Sequence, residues 1–259
     1  MPFEPVILGK TGIKVGKLGI ASAYGTPTQA VEEAFDHGVN YLFWGSPRTE
    51  KMGEGIRRIA KKNRDKAVVV IQTYMRSPFL IRRSLEKGLK KLGLDYADIL
   101  LFGWFNKRPS QKTIDVALEL KEKGLCRFIG LSSHHRPVFP LMDKEDIFDI
   151  FHVRYSAAHT GGEKDIFPHL RKENPTGIVS FTATRWGKLL KDSKMPKGEK
   201  TPTAVDCYRF AMSNPNIHVT ISAVKNIEQM RQNLKALELG PMNDEELAWM
   251  RRVGDYVHG

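Results

Sequence analysis

Lys123-Gly124-Leu125-Cys126-Arg127-Phe128-Ile129-Gly130-Leu131-Ser132 joins the end of a helix to a buried strand within one short stretch. The amphipathic pattern of residues 113–123 stops at Gly124, which can take the left-handed position after a helix at no steric cost. The apolar run 128–131 that follows is too short for a helix and reads as a strand covered on both faces. Moving outward, the same unit recurs. Strands are predicted over residues 18–21, 41–43, 67–73, 99–102, 128–131, 150–153, 178–182 and 219–223. Helices are predicted over 28–36 before Gly38, 79–92 before Gly93, 113–123, 164–173, 204–212 and 227–237, with loops at Gly161-Gly162 and 195–203. This alternation demands parallel strands joined by right-handed crossovers, and eight such strands close into a barrel. Before the first unit, 6–8 and 13–15 flank the turn Gly9-Lys10-Thr11-Gly12. After the last, 243–253 reads as one more helix, with Asp244, Glu245 and Glu246 in its first turn. The fold class is therefore α/β, a (β/α)8 TIM barrel with an N-terminal β-hairpin and an additional C-terminal helix, forming a single domain over 1–259.

The length of 259 residues suits that architecture, and 41% hydrophobic with 27% charged residues describes a chain able to bury a sizeable core. A formal charge of +12 favours anionic partners. The excess falls at spacings of solvated helix faces and loops, including Arg57, Arg58, Lys61, Lys62 and 188–200. No compact aromatic-basic RNA motif or zinc spacing accompanies it, so the sequence argues against a nucleic-acid site. Cys126 and Cys207 make no CxxC pair, as in a reducing compartment. Met1-Pro2-Phe3-Glu4 lacks a basic region followed by an apolar one, and no apolar run approaches the roughly 18 residues of a membrane span. The expectation is a cytoplasmic protein with a small-molecule substrate or ligand and no membrane partner.

Several local motifs, in order, resemble the aldo/keto reductase family. They are Leu8-Gly9-Lys10-Thr11-Gly12-Ile13-Lys14-Val15, Gly38-Val39-Asn40-Tyr41, Leu92-Gly93-Leu94-Asp95-Tyr96-Ala97-Asp98, the opening stretch 123–132, and Ile221-Ser222-Ala223-Val224-Lys225-Asn226-Ile227-Glu228-Gln229 with Asn233. The resemblance implies a carbonyl reductase using NADP(H) or NAD(H), in which an Asp, a Tyr, a Lys and a His meet at the carboxyl ends of the second, third and fourth strands. Here Phe43 stands in the Asp position, Tyr74 in the Lys position and Gly103 in the His position. The loop Ser46-Pro47-Arg48-Thr49-Glu50 is short, and no tyrosine occurs between Tyr41 and Tyr74. The sequence thus predicts a divergent member without the usual tetrad.

The strand ends offer replacements. Tyr74 is the candidate acid, since a phenol becomes useful near neutrality when a cation such as Arg48 or Arg185 stabilises its phenolate. His134 is the second candidate, because an imidazole titrates near neutrality unaided. Trp44, Trp104 and Trp186 are candidate walls of a substrate pocket. For the cofactor, the resemblance implies Ser132 and Ser133 near the nicotinamide amide, His152 in a position usually Gln, Tyr155 as the stacking aromatic, and Arg185 near a phosphate. Lys225, Asn226, Gln229 and Asn233 fall where the family binds the adenosine end, at a helix start that favours anions. Gln229 replaces the usual Arg, leaving NADP or NAD open. The alternative reading is a degenerate barrel that binds a nucleotide or an aromatic or anionic metabolite without turnover. Adjacent His134 and His135 make no metal-ligand spacing, and no Gly-x-Ser-x-Gly elbow is present.

Overall fold

The structure is a computed structural model that describes residues 1–45 and 48–258. Ser46 and Pro47, in the short loop singled out above, lie outside the described residues. An antiparallel hairpin, β1 (Val6–Ile7) and β2 (Lys14–Val15), precedes eight parallel strands. These are β3 (Leu18–Ala21), β4 (Tyr41–Trp44), β5 (Val68–Thr73), β6 (Ala97–Phe102), β7 (Cys126–Ser132), β8 (Ile150–Arg154), β9 (Gly177–Phe181) and β10 (Val219–Ser222). They pair in sequence order, and β10 pairs with β3 to close the barrel.

Alternate residues of each strand serve two cores. Tyr41, Val68, Val70, Ile99, Leu101, Val179 and Val219 fill the barrel. Their neighbours Leu42, Trp44, Val69, Ile71, Leu100 and Ile129 face outward to the helices. The hairpin plugs the amino end, because Leu8 and Val15 belong to the inner core. A turn through Gly9 allows this. Its φ is +50°, and any Cβ would lie 2.4 Å from the Pro175 carbonyl oxygen and the Gly177 nitrogen.

The surrounding helices are α1 (Thr28–Asp36), α2 (Glu50–Asn63), α3 (Pro78–Leu92), α4 (Gln111–Glu122), α5 (Val138–Lys144), α6 (Gly162–Asp165), α7 (Ala204–Ser213), α8 (Ile227–Leu239) and α9 (Asp244–His258). The helix expected over 164–173 is a correction. Gly162 opens the single turn α6, and a 3₁₀ turn, Phe167–His169, follows. Pro168 lacks the N–H that a continuing helix needs, while Ile166 and Phe167 anchor the segment in the core. Two helices, α2 and α5, escape the sequence reading. Gly53 and Gly55 interrupt the propensity of α2, yet a Cβ at Gly55 would meet Val31 at 2.9 Å, so glycine is what lets α2 lie against α1. In α5, Pro140 stands within a seven-residue helix. No helix among the described residues is long and apolar enough to cross a membrane.

Candidate active site at the carboxyl end of the barrel

Inward-facing residues at the carboxyl ends of the strands enclose a pocket of about 170 Å³, lined by Phe43, Gln72, Tyr74, Trp104, Ser132, His134, His152 and Phe181. The alternation of each strand decides the membership. On β5, Val68 and Val70 fill the barrel, so Gln72 and then Tyr74 rise into its mouth. On β9, Val179 does the same for Phe181. Gly103 is required here, since a Cβ on it would lie 2.6 Å from the Tyr74 ring and 2.7 Å from the Gln72 amide nitrogen.

His152 forms the floor. Its Nε2 lies 2.7 Å from the Tyr41 hydroxyl, and the Phe43 ring stands edge-on at 5.2 Å. Burial drops the His152 pKa to about 3 and raises that of Tyr41, so the pair is neutral. His134 lies in the wall between Trp104 and Phe181, 5.8 and 5.7 Å from their ring centres. Burial first, and the Arg154 charge second, lower its pKa. Its Nδ1 accepts a hydrogen bond from Arg154, so the proton of the neutral ring sits on Nε2. Tyr74 is half-exposed above them.

A groove of about 550 Å³ lies at the ends of β9 and β10, with Thr184, Trp186, Gly187, Lys225, Gln229 and Asn233 in its walls. Asn226 caps α8 by accepting the Gln229 N–H, while the Gln229 side chain accepts the Lys225 N–H. Asn233 is buried and donates to Ser222. The structure therefore brings Lys225, Gln229 and Asn233 to one groove and gives Asn226 the work of shaping it.

Three residues read from the sequence as part of the mouth lie elsewhere, which corrects that reading. Trp44 faces outward, fully buried against α2, and donates to the Thr49 carbonyl at 3.0 Å. Tyr155 is one strand position too late to point inward. It stacks on Phe210 and donates to Glu163. Arg48 binds the Ser84 carbonyl and hydroxyl and the Gln72 carbonyl behind β5, so it ties its loop to α3 and does not enter the pocket beside Tyr74. Of the two serines, Ser132 lines the pocket, whereas Ser133 turns away to Asn106 and the His135 backbone. Arg185 lies on the loop after β9, donating to the His258 carbonyl at 3.1 Å. Trp104 and Trp186 are exposed at the rim. The sequence reading missed Phe181, Gln72 and Arg154 as inward residues, although continuing the two-residue alternation of β9, β5 and β8 finds all three.

The aldo/keto reductase family profile matches residues 20–206. The chain belongs to this family. Members typically use NADP(H). The chain is 24% identical to an L-galactose dehydrogenase of Arabidopsis thaliana, covering 95% of this aldo/keto reductase and 92% of that protein. It is 29% identical to a methylglyoxal reductase of Escherichia coli O157:H7 over 60% of each chain. Among solved structures, the holo form of an aldo-keto reductase from Bacillus halodurans superposes with a TM-score of 0.81 at 19% identity, over 97% of this chain and 96% of that one. No group of three or more His, Cys, Asp or Glu side chains able to hold a metal occurs among the described residues.

Proposed function

We propose that this aldo/keto reductase is an oxidoreductase that reduces a carbonyl compound with NADPH or NADH, using Tyr74 as its acid. The observation that carries this reading is one pocket, lined by Tyr74, His134, Ser132 and Phe181, beside a groove with a helix start and Lys225 in its wall. The donor set fits a dinucleotide. Lys225, Thr184 and the amino end of α8 suit the phosphates. Phe181 offers an aromatic face, and Ser132 a hydroxyl for a carboxamide. In this reading Phe181 takes the stacking role that the resemblance gave to Tyr155. The bound cofactor supplies a hydride.

The chain's own residues would supply the proton and the orientation. Tyr74 donates its hydroxyl proton to the carbonyl oxygen, and His134 Nε2–H donates a second hydrogen bond to it. Trp104 and Phe181 shield the pocket from water. Phe43 stands where the family resemblance implies Asp, and the lining contains no lysine or carboxylate. The Tyr74 hydroxyl therefore works without the usual ion pair, and His134 and Trp104 take over positioning.

Titration with NADPH and with NADH, read by tryptophan quenching and nicotinamide emission, tests the cofactor. No binding at millimolar concentration removes the proposal. If binding occurs, a carbonyl panel with Tyr74→Phe tests the acid. Loss of a general acid lowers kcat by about a hundredfold or more, and unchanged turnover eliminates Tyr74. One observation favours a second reading, a barrel that binds without turnover. Arg48, one of the two cations expected beside Tyr74, is held behind β5. Binding of nucleotide with no hydride transfer across the panel would establish that reading.

A further inference from the structure

Between the pocket and the groove, at the ends of β8 and β9, two arginines lie near each other with no carboxylate partner among the described residues. Arg154 spends one nitrogen on His134 Nδ1, and its guanidinium carbon lies 5.3 Å from the centre of the Trp186 ring. Arg185 spends one nitrogen on the His258 carbonyl. His159 stands against Trp186 and His258, at 6.5 and 5.3 Å between ring centres. Neither arginine has a carboxylate partner among the described residues, whereas Arg136, Arg209 and Arg251 each reach one. Arg154 Nε, His159 Nε2 and Arg185 Nη1 are all buried and without a hydrogen-bond partner. Buried donors left unmade are costly. Two of these atoms, Arg154 Nε and Arg185 Nη1, are guanidinium donors, and together they indicate a missing acceptor.

The charges point the same way. Burial lowers the Arg154 pKa, and Arg136 and Arg185 lower it further. Burial, Arg154, Arg185 and His258 together hold His159 down at about 4. Like charges thus press on one another, and among the described residues no carboxylate pairs with Arg154 or Arg185. The cluster bridges the small pocket and the groove at Lys225, because Arg154 also lies against Trp186, a wall of that groove. Arg154 lines neither cavity itself and touches the small pocket through its hydrogen bond to His134.

We infer that Arg154, with His159 and Arg185 beside it, binds an anionic group on the substrate, so that the compound reduced is a carbonyl compound bearing a carboxylate. This rests on the carbonyl-reductase reading. The planar fork of a guanidinium matches the two oxygens of a carboxylate. The Trp186 indole lies over the guanidinium, 5.3 Å from its carbon to the ring centre. Because Arg154 is hydrogen-bonded to His134, which lines the pocket together with Tyr74, a carboxylate drawn to Arg154 is held next to that pocket.

The experiment compares para-carboxybenzaldehyde with its methyl ester, titrated by calorimetry into the full chain with and without saturating NADPH. The acid is expected to bind at least about tenfold more tightly than the ester, the scale of a charge-assisted hydrogen bond. In Arg154→Gln the acid should fall to the affinity of the ester, with NADPH affinity kept within about twofold, the scale of contacts left untouched. Equal binding of acid and ester to the wild type overturns the inference, whatever the variant does. A loss of NADPH affinity in Arg154→Gln as large as the loss for the acid also overturns it, by assigning the cluster to the cofactor's phosphates. If NADPH does not bind at all, the carbonyl-reductase reading fails on its own. The acid and ester arms without nucleotide then still decide whether the cluster takes an anion.

Discussion

The two ends of the barrel treat charge and backbone in opposite ways. At the amino end every buried aspartate is matched. Asp98 receives Arg64 at 2.8 Å, Arg127 at 2.9 Å and the Val69 N–H at 2.9 Å. Asp149 receives Lys121 and the Ile129 N–H. Asp143 receives Thr176 and the Arg171 N–H. At the carboxyl end Arg154, Arg185 and His159 keep unmade bonds. The backbone divides likewise. Left-handed residues at the amino end, apart from glycine, are Asp146 and Asn174, the types for which that conformation costs least. At the carboxyl end they are Tyr24, Trp104, Thr182, Arg185 and Trp186, which have no such excuse. The amino end keeps an unmet donor, Arg171 Nε, beside its ion partner Asp143, whereas the carboxyl end gathers three unpartnered nitrogens and the costlier left-handed residues, which a ligand can use.

The largest effect expected from this contrast is at the amino end. Asp98→Ala leaves Arg64 and Arg127 facing an empty site and orphans the Val69 N–H, at a cost of about 3 to 5 kcal/mol. Chemical denaturation should register that loss, while nucleotide affinity at the far end stays unchanged in the folded fraction. A large change in affinity would break the separation of the two ends.

Acid comes next. His152 titrates at about 3 in the folded chain, against an ordinary value of 6.5. Below 6.5 the unfolded chain therefore binds a proton that the folded one refuses. Its contribution to stability is complete above 6.5 and is lost as pH falls toward 3, reaching about 3 kcal/mol at about pH 4. His152→Gln can still bond Tyr41 and has no proton to gain, so its stability should fall less steeply over this window. At the opposite end, His218 is held at about 4 by burial and by Lys17, and it accepts the Ile178 N–H. The His218→Asn profile separates the share of the amino end. Denaturation midpoints across the window that show no difference between wild type and His152→Gln would remove the buried neutral pair from the account.

A smaller effect is expected at Gly103. Ala there would push the Tyr74 ring and the Gln72 amide aside, at about 1 to 2 kcal/mol for a small overpacking that side chains can absorb. The site should suffer more than the fold. Carbonyl reduction would drop while the unfolding midpoint moves little, and intact turnover would show that Tyr74 does not need its present place.

The barrel was legible because its signals are local and repeated. Glycine stops such as Gly93 and Gly124, and short apolar runs such as 128–131, survive in any context, and all eight strands fall within a few residues of the expected ones. The helices that escaped, α2 and α5, carry glycines or a proline whose justification is a neighbour across the fold. The site was only partly legible. Tyr74, Trp104, His134 and Ser132 come together in one pocket, because a strand end is easy to locate. Trp44 and Tyr155 were misplaced by a single step of the alternation, which turns a side chain from the mouth to the outer layer. Arg48 was misread for another reason. A flexible arginine goes where carbonyls await it, and Ser84 lies 36 positions along the chain.

The smallest effect tests the claim of strain most directly. Thr182 is β-branched, has a φ of +63°, and follows Phe181 at the turn from β9 into the loop of Arg185 and Trp186. A β-branched residue pays more than most for this conformation, and glycine pays nothing, though glycine gains more freedom in the unfolded chain. The two effects oppose each other, and relief of strain should win by about 1 kcal/mol. Thr182→Gly is therefore expected to unfold at a slightly higher temperature than the wild type. The same change frees the loop that carries Arg185 and Trp186, so the ligand must order it and affinity should fall as stability rises. At the amino end, Asn174→Gly should stabilise less, because Asn is already at ease there, and should leave affinity alone. If both substitutions shift stability equally, or if Thr182→Gly destabilises the chain, the strain at the carboxyl end is not held in reserve for binding.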